Sequence, residues 1–229
     1  MEQQTQLTTK LNKIPTIAEL FSDDIEGAYK NEQLNLLLST PPKKEWVKEH
    51  PFIQNYKYLP IDKVEYLLKR IFKKYNIEII REGTSFNGVY VVVRVHYLNP
   101  VSNKMEFHDG IGAIQLQTKK GTSPADLANI NNGAISIAFP IAKTIAIKDA
   151  CDHFGALFGA DLNRRDTVNY TMDQNIVNSK INNEYSRTMK VLNSCTTLDE
   201  LNNVVNSIKD IQQYETLIES LKQRIENDK

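Results

Sequence analysis

From Gly88 to Leu98 the chain reads GVYVVVRVHYL, and this run restricts the fold more than any other part of the sequence. Val89, Val91, Val93, Val95 and Tyr97 fall on one face, and Tyr90, Val92, Arg94 and His96 on the other. That two-residue period in β-branched and aromatic residues belongs to a strand with a buried and a more polar side. A second apolar run, IEII, precedes it, and MEFHDGIGAIQLQ follows. The connections contain FNG and NPVSN, which are turn-forming, so three strands in an antiparallel meander are predicted.

Around the meander the period changes to that of helices. In DKVEYLLKRIFKKY, residues Val64, Leu67, Leu68, Ile71, Phe72 and Tyr75 make one apolar stripe, and Lys63, Lys69, Arg70, Lys73 and Lys74 occupy the other faces. One or two short helices are expected between Ile14 and Leu38, closed by Pro41 and Pro42, after a loose polar tail over residues 1–12. The loop KKGTSPADLANINNG leads into a further helix, with Pro140 placed in its first turn, that carries on through KDACDHFGALFGADLNR to Arg164. On such a helix Ile147, Cys151, Phe154 and Phe158 face the core, which makes Cys151 a small packing residue. Lys148, Asp152, Gly155 and Gly159 share a neighbouring face, where the glycines admit the close approach of another backbone or subunit. Packing on the sheet, with Lys148 and Asp152 as a solvated pair, accounts for the same face.

After Tyr170 the composition shifts to Asn, Ser and Glu, read as a polar linker. Thr197-Leu-Asp-Glu200 is a capping box opening a helix through Leu201, Val204, Val205 and Ile208, and Tyr214, Leu217, Ile218, Leu221 and Ile225 form a second stripe. The expected organisation is therefore α+β: a tail with short helices (1–40), a β-β-β-α core domain with flanking helices (41–170) and a helical C-terminal appendage (171–229).

Charge divides unevenly along the chain. The total of 28 Lys and Arg against 28 Asp and Glu conceals a segment, residues 41–100, with eleven basic against six acidic residues. A local basic surface of that kind can attract a phosphate backbone whatever the net charge. No apolar run reaches membrane-spanning length, because Pro140 and Lys143 interrupt the stretch from Ala134 to Ile147. No basic-then-apolar leader opens the sequence, so no membrane association is expected and cytoplasmic residence is, in a host cell if the chain is phage-encoded.

Enzyme chemistry finds little support in the spacing. His96, His108, Asp109, Asp149, Asp152 and His153 are available as ligands, but neither H-x-x-x-H nor paired cysteines bind them into a metal set. His153 lies about 200° around a helix from Cys151 and cannot serve it as a base. Gly110-Ile-Gly112 sits inside a strand pattern with no helix after it, so it is not a dinucleotide loop. Lys119-Lys120-Gly121-Thr122 lacks the order of a phosphate loop. Neither a cofactor nor a catalytic residue is expected.

The succession VRVHY, HDGIGA and AIKDACDHFGALFGADLNR resembles the single-strand annealing domain of Rad-fifty-two and its phage relatives, the Sak proteins, over about residues 45–170. The resemblance implies annealing of complementary single-stranded DNA without ATP or metal, by homo-oligomeric rings or helices that hold the strand in a basic groove. It places Lys148 at the first basic position of the groove helix and Lys48, in WVKEHP, near a second groove cation. Lys119 falls near a basic residue of an outer DNA site, and Lys120 adjoins it. Lys143, Arg164 and Arg165 complete the DNA-binding candidates. Asp149 and Asp152 stand where the eukaryotic member has groove arginines, a departure that sets two carboxylates against phosphate. Phe72 matches an aromatic of the helix before the sheet. The implied partners are single-stranded DNA and further copies of the chain, with a single-strand-binding protein or an exonuclease as candidate protein partners. The alternative is a non-catalytic oligomerisation or adaptor protein using the same fold.

Overall fold

The computed structural model describes residues 17–51, 53–123 and 125–227, and the expected tail over residues 1–12 lies outside them. The architecture is mixed α+β. In chain order the elements are α1 (Ile17–Leu20), α2 (Ile25–Leu38), β1 (Lys48–Glu49), β2 (Lys57–Tyr58), α3 (Ile61–Ile71), β3 (Tyr75–Ser85), β4 (Gly88–Leu98), β5 (Met105–Gln115), α4 (Ala134–Asp152), α5 (Gln174–Ser194), α6 (Leu198–Ser207) and α7 (Glu215–Asn227). The chain divides into two compact units, one of residues 30–171 and one of the described parts of 1–29 and 172–229. The sequence pattern puts its boundaries at 40/41 and 170/171.

In the larger unit β3, β4 and β5 form an antiparallel meander in that order. Every second residue of β4 from Val89 to Tyr97 is buried, because the central strand turns that face to the core and is paired on both sides. The register places Gly112 opposite Val91 and Gly110 opposite Val93, on the same buried face. There α4 lies directly on the strand. A Cβ at Gly112 would overlap the Ala142 carbonyl and the Ala146 amide, and one at Gly110 would overlap Ala146 and Ala150. The helix meets this trough with Ala134, Ala138, Ala142, Ala146 and Ala150, an i, i+4 row of the smallest helix-forming side chain, all buried.

Four local boundaries differ from the sequence reading. First, α3 stops at Ile71, since Lys73 takes a left-handed φ of 58°, and Tyr75 begins β3 instead of extending the helical stripe. Second, Gly133 turns the chain with φ 78° and starts α4 early, which puts Pro140 in the second turn. Third, α4 ends at Asp152 and does not reach Arg164: Gly155 (φ 117°, ψ −163°) and Gly159 (φ 108°) adopt conformations that side chains disfavour, and a short 3₁₀ turn lies between them. Phe154 and Phe158 are buried all the same, packed with Phe72 and Tyr97. The fourth difference is in the smaller unit, where the polar stretch read as a linker is the 21-residue α5. Asp173 caps it by accepting from the Asn175 and Ile176 amides at 2.7 and 3.3 Å. Lys180 on this helix pairs with Glu26 and with Glu184. The capping box at Thr197 and Glu200 opens α6, and Leu192, Leu201, Tyr214, Ile218, Leu221 and Ile225 close a separate small core.

Gly112→Ala is expected to destabilise the protein by about 3 kcal/mol or to prevent folding, because a rigid backbone stands where the methyl would go. Gly83→Ala, where the Cβ meets only the ring end of Tyr90, should cost less than about 1 kcal/mol. Urea unfolding midpoints compare the two, and equal effects would contradict the close helix contact.

Candidate nucleic-acid interface

Three segments meet at the C-terminal end of α4. The β1–β2 ladder sets Lys48 opposite Tyr58 and Glu49 opposite Lys57. Tyr58 presents its ring to Lys148, whose ammonium lies 4.8 Å from the ring centroid, within cation–π range. The third segment is tied in by Asn163. Its side-chain amide accepts from the Lys57 N–H at 2.8 Å and donates to the Lys57 carbonyl at 2.8 Å. Arg164 and Arg165 follow directly and are exposed. Arg164 pairs with Asp161 at 3.3 Å and is close enough to Asp152 to influence its titration.

Burial acts on both charged groups of the α4 end. Lys148 is half-buried, and desolvation lowers its pKa from the usual lysine range, with the Asp152 charge opposing the shift. The Asp152 carboxyl is pushed up to about 6, chiefly by desolvation and then by the charge of Asp149, against the pull of Lys148, His153 and Arg164. Part of Asp152 still faces solvent, which screens these interactions. Asp149 turns elsewhere: its Oδ2 accepts the Ile111 N–H of β5 at 2.9 Å. Cys151 is fully buried and burial pushes its thiol up, away from the reactive thiolate.

The remaining candidate cations do not join this cluster. Lys143 lines a separate groove of 410 Å³ with Glu65, Ile77 and Ile79. Lys119 and Lys120 lie beyond the other end of β5, because α4 runs antiparallel to that strand, with Gly112 under Ala142 and Gly110 under Ala150. Their loop is held by the Lys119 N–H to Asn129 carbonyl bond at 2.9 Å and a bridge between Thr118 and Ile130. Gly155 and Gly159 do not extend the Lys148 face. Gly155 lies against the Leu38 carbonyl, and Gly159 against Leu59 and Leu162.

Lys57, Tyr58 and Asn163 are absent from the sequence-derived site. Strands of two residues are too short to produce a period, and only the tight turn implied by IQNY points to a hairpin there. The His108 and His153 rings come within 5.4 Å of each other, but the would-be metal ligands do not gather into one set. Asp109 accepts two bonds from Arg94 at 2.7 and 2.8 Å, His96 lies 3.0 Å from Glu78, and His108 lies 3.1 Å from the Tyr97 hydroxyl. Among the described residues no three His, Cys, Asp or Glu side chains converge on one point. No helix among them is long and apolar enough to cross a membrane. The chain matches no known family model and no curated protein sequence.

The raised pKa of Asp152 makes stability depend on pH. A carboxyl that binds its proton more tightly when folded loses stability as pH rises from about 4, the unfolded value, through about 6. Asp152→Asn removes that loss. Its stability relative to the native chain should rise by about 1 kcal/mol between pH 4 and pH 7, after allowance for solvent screening. A pH-independent difference in chemical denaturation would show that the carboxyl is not strained.

Proposed function

We propose that residues 30–171 bind single-stranded DNA through its phosphates and anneal complementary strands without ATP, in the manner of the Rad-fifty-two and Sak proteins. The observation that carries this reading is the meeting of three segments at one end of α4: Lys148 lies over the Tyr58 ring, Lys48 is the ladder partner of Tyr58, and Asn163, with Arg164 next to it, is fastened to the Lys57 backbone. Two lysines beside a partly exposed tyrosine, with an arginine-bearing segment joined to the same ladder, fit a flexible polyanion better than a small rigid ligand. An annealing protein must grip phosphate and sugar while leaving base edges free to find their complements, and cations with one aromatic suit that task. The β-β-β-α order of the larger unit, and the quoted motifs spread over β4, β5 and α4, add support. Among the described residues β3 and β5 are the outer strands of the sheet, and outer strands of this kind favour assembly into larger oligomers.

The direct test mixes two complementary fluorescent oligonucleotides with the protein in EDTA and without nucleotide. Rapid duplex formation above the spontaneous rate is expected, and strict dependence on ATP or a divalent ion would overturn the mechanism. Lys148→Ala should weaken single-strand binding and reduce the log–log salt slope by about 0.7 for each phosphate no longer neutralised, whereas Lys143→Ala, outside the cluster, should change it less.

Binding should also tighten as pH falls from about 7.5 to about 5, since protonation of Asp152 near 6 removes a negative charge beside Lys148. Asp152→Asn should bind more tightly at the upper end of that range and lose that part of the pH dependence. Fluorescence anisotropy across the range decides it, and an unchanged profile in the variant would place Asp152 outside the binding surface.

A further inference from the structure

Asp149 occupies a position at which a carboxylate next to a phosphate-binding cluster is electrostatically unfavourable. Point-charge reasoning makes it an impediment: it adjoins Lys148, and its charge is felt by Asp152 one turn on. The geometry points the other way. Its Oδ2 accepts the N–H of Ile111, the residue between Gly110 and Gly112 on the outer strand of the sheet.

The contact beneath explains why that bond matters. Helices usually keep their position on a neighbour by interlocking side chains, ridges of one in grooves of the other. Between α4 and β5 there is little to interlock, because glycines face a row of alanines and backbone lies on backbone. Ile147 and Cys151 are buried and anchor the other flank of the helix. What they leave free is a roll about that flank, which would lift or shift the side over β5. The bond from Ile111 to Asp149 is directional, has a charged acceptor and lies on the side that packing leaves smooth. Lys148 is the adjacent residue, and its ammonium must stay over the Tyr58 ring for the cluster to keep its form.

We propose that Asp149 is a positioning residue which, despite its charge, strengthens single-strand binding by locking α4 to the Ile111 amide and so holding Lys148 against Tyr58. This rests on the reading of the Lys148 cluster as a phosphate-binding site. It deepens that reading by separating a carboxylate that shapes the site from one, Asp152, that faces it.

The test compares the full-length chain with Asp149→Ala and Asp149→Asn. Asn keeps a carbonyl acceptor and loses the charge, whereas Ala loses both. Binding of a fluorescent oligo-dT is read by anisotropy, and exchange of the Ile111 amide by hydrogen exchange without DNA. Asp149→Ala should bind about fivefold more weakly, the scale of one missing hydrogen bond, although it removes a negative charge. Asp149→Asn should bind at least as tightly as the native chain. The Ile111 amide should exchange faster in the Ala variant and stay protected in the Asn variant. Tighter binding by both variants would mean that Asp149 acts only as a charge, and weaker binding by both that the charge itself is needed; either result overturns the proposal. So does Ile111 exchange that is equal in all three. If the native chain fails to bind oligo-dT, the functional reading falls and the DNA role of Asp149 with it, while the exchange comparison still decides whether Asp149 holds the strand.

Discussion

Backbone-on-backbone contact between α4 and β5 is the constraint on which the rest of the larger unit depends. Two glycines opposite the central valines of β4 leave a trough, and a row of alanines lets a 19-residue helix settle into it. The helix axis thereby comes closer to the sheet than bulkier residues would allow. Its far flank then carries Ile147 and Cys151 into the core, and its end delivers Phe154 and Phe158 to Phe72 and Tyr97. Hydrophobic burial supplies the cohesion; the missing side chains set the distance.

The cluster around Tyr58 follows from the same geometry. Because α4 stops at Asp152 and the chain turns at Gly155 and Gly159, the segment after it returns toward the β1–β2 pair instead of projecting into solvent. A longer helix would have carried Arg164 and Arg165 roughly 18 Å beyond Asp152, at about 1.5 Å per residue. The glycines serve the site by redirecting the chain that bears its cations.

How far the fold is legible in the sequence varies with the physics of each element. β4 announces itself, since a strand buried on one face must alternate, and the capping box at Thr197 is equally local. The end of α4 is misplaced by the sequence pattern because Phe154 and Phe158 keep helical spacing while being buried for another reason, as members of an aromatic cluster. α5 escapes it because a helix with few buried residues shows little amphipathic pattern; it rests on a cap and on ion pairs. Gly110-Ile-Gly112 is visible but has no evident role in the sequence, because its purpose lies in a contact with residues some thirty or more positions later. Lys148 stands out as a cation on a helix, whereas Tyr58 and Asn163 acquire their places only through pairing across the fold.

Asn163 adds a consequence for how such a surface can change over time. Its amide reproduces one rung of a β ladder on the Lys57 backbone, with a donor and an acceptor in the right order. The main-chain donor and acceptor are the same for every residue except proline at position 57, so the attachment is indifferent to other side-chain substitutions there. The residues flanking the rung are thus open to variation in charge and size without undoing the join. A single amide makes the cationic rim a replaceable part, fastened to a scaffold that does not depend on what the rim carries.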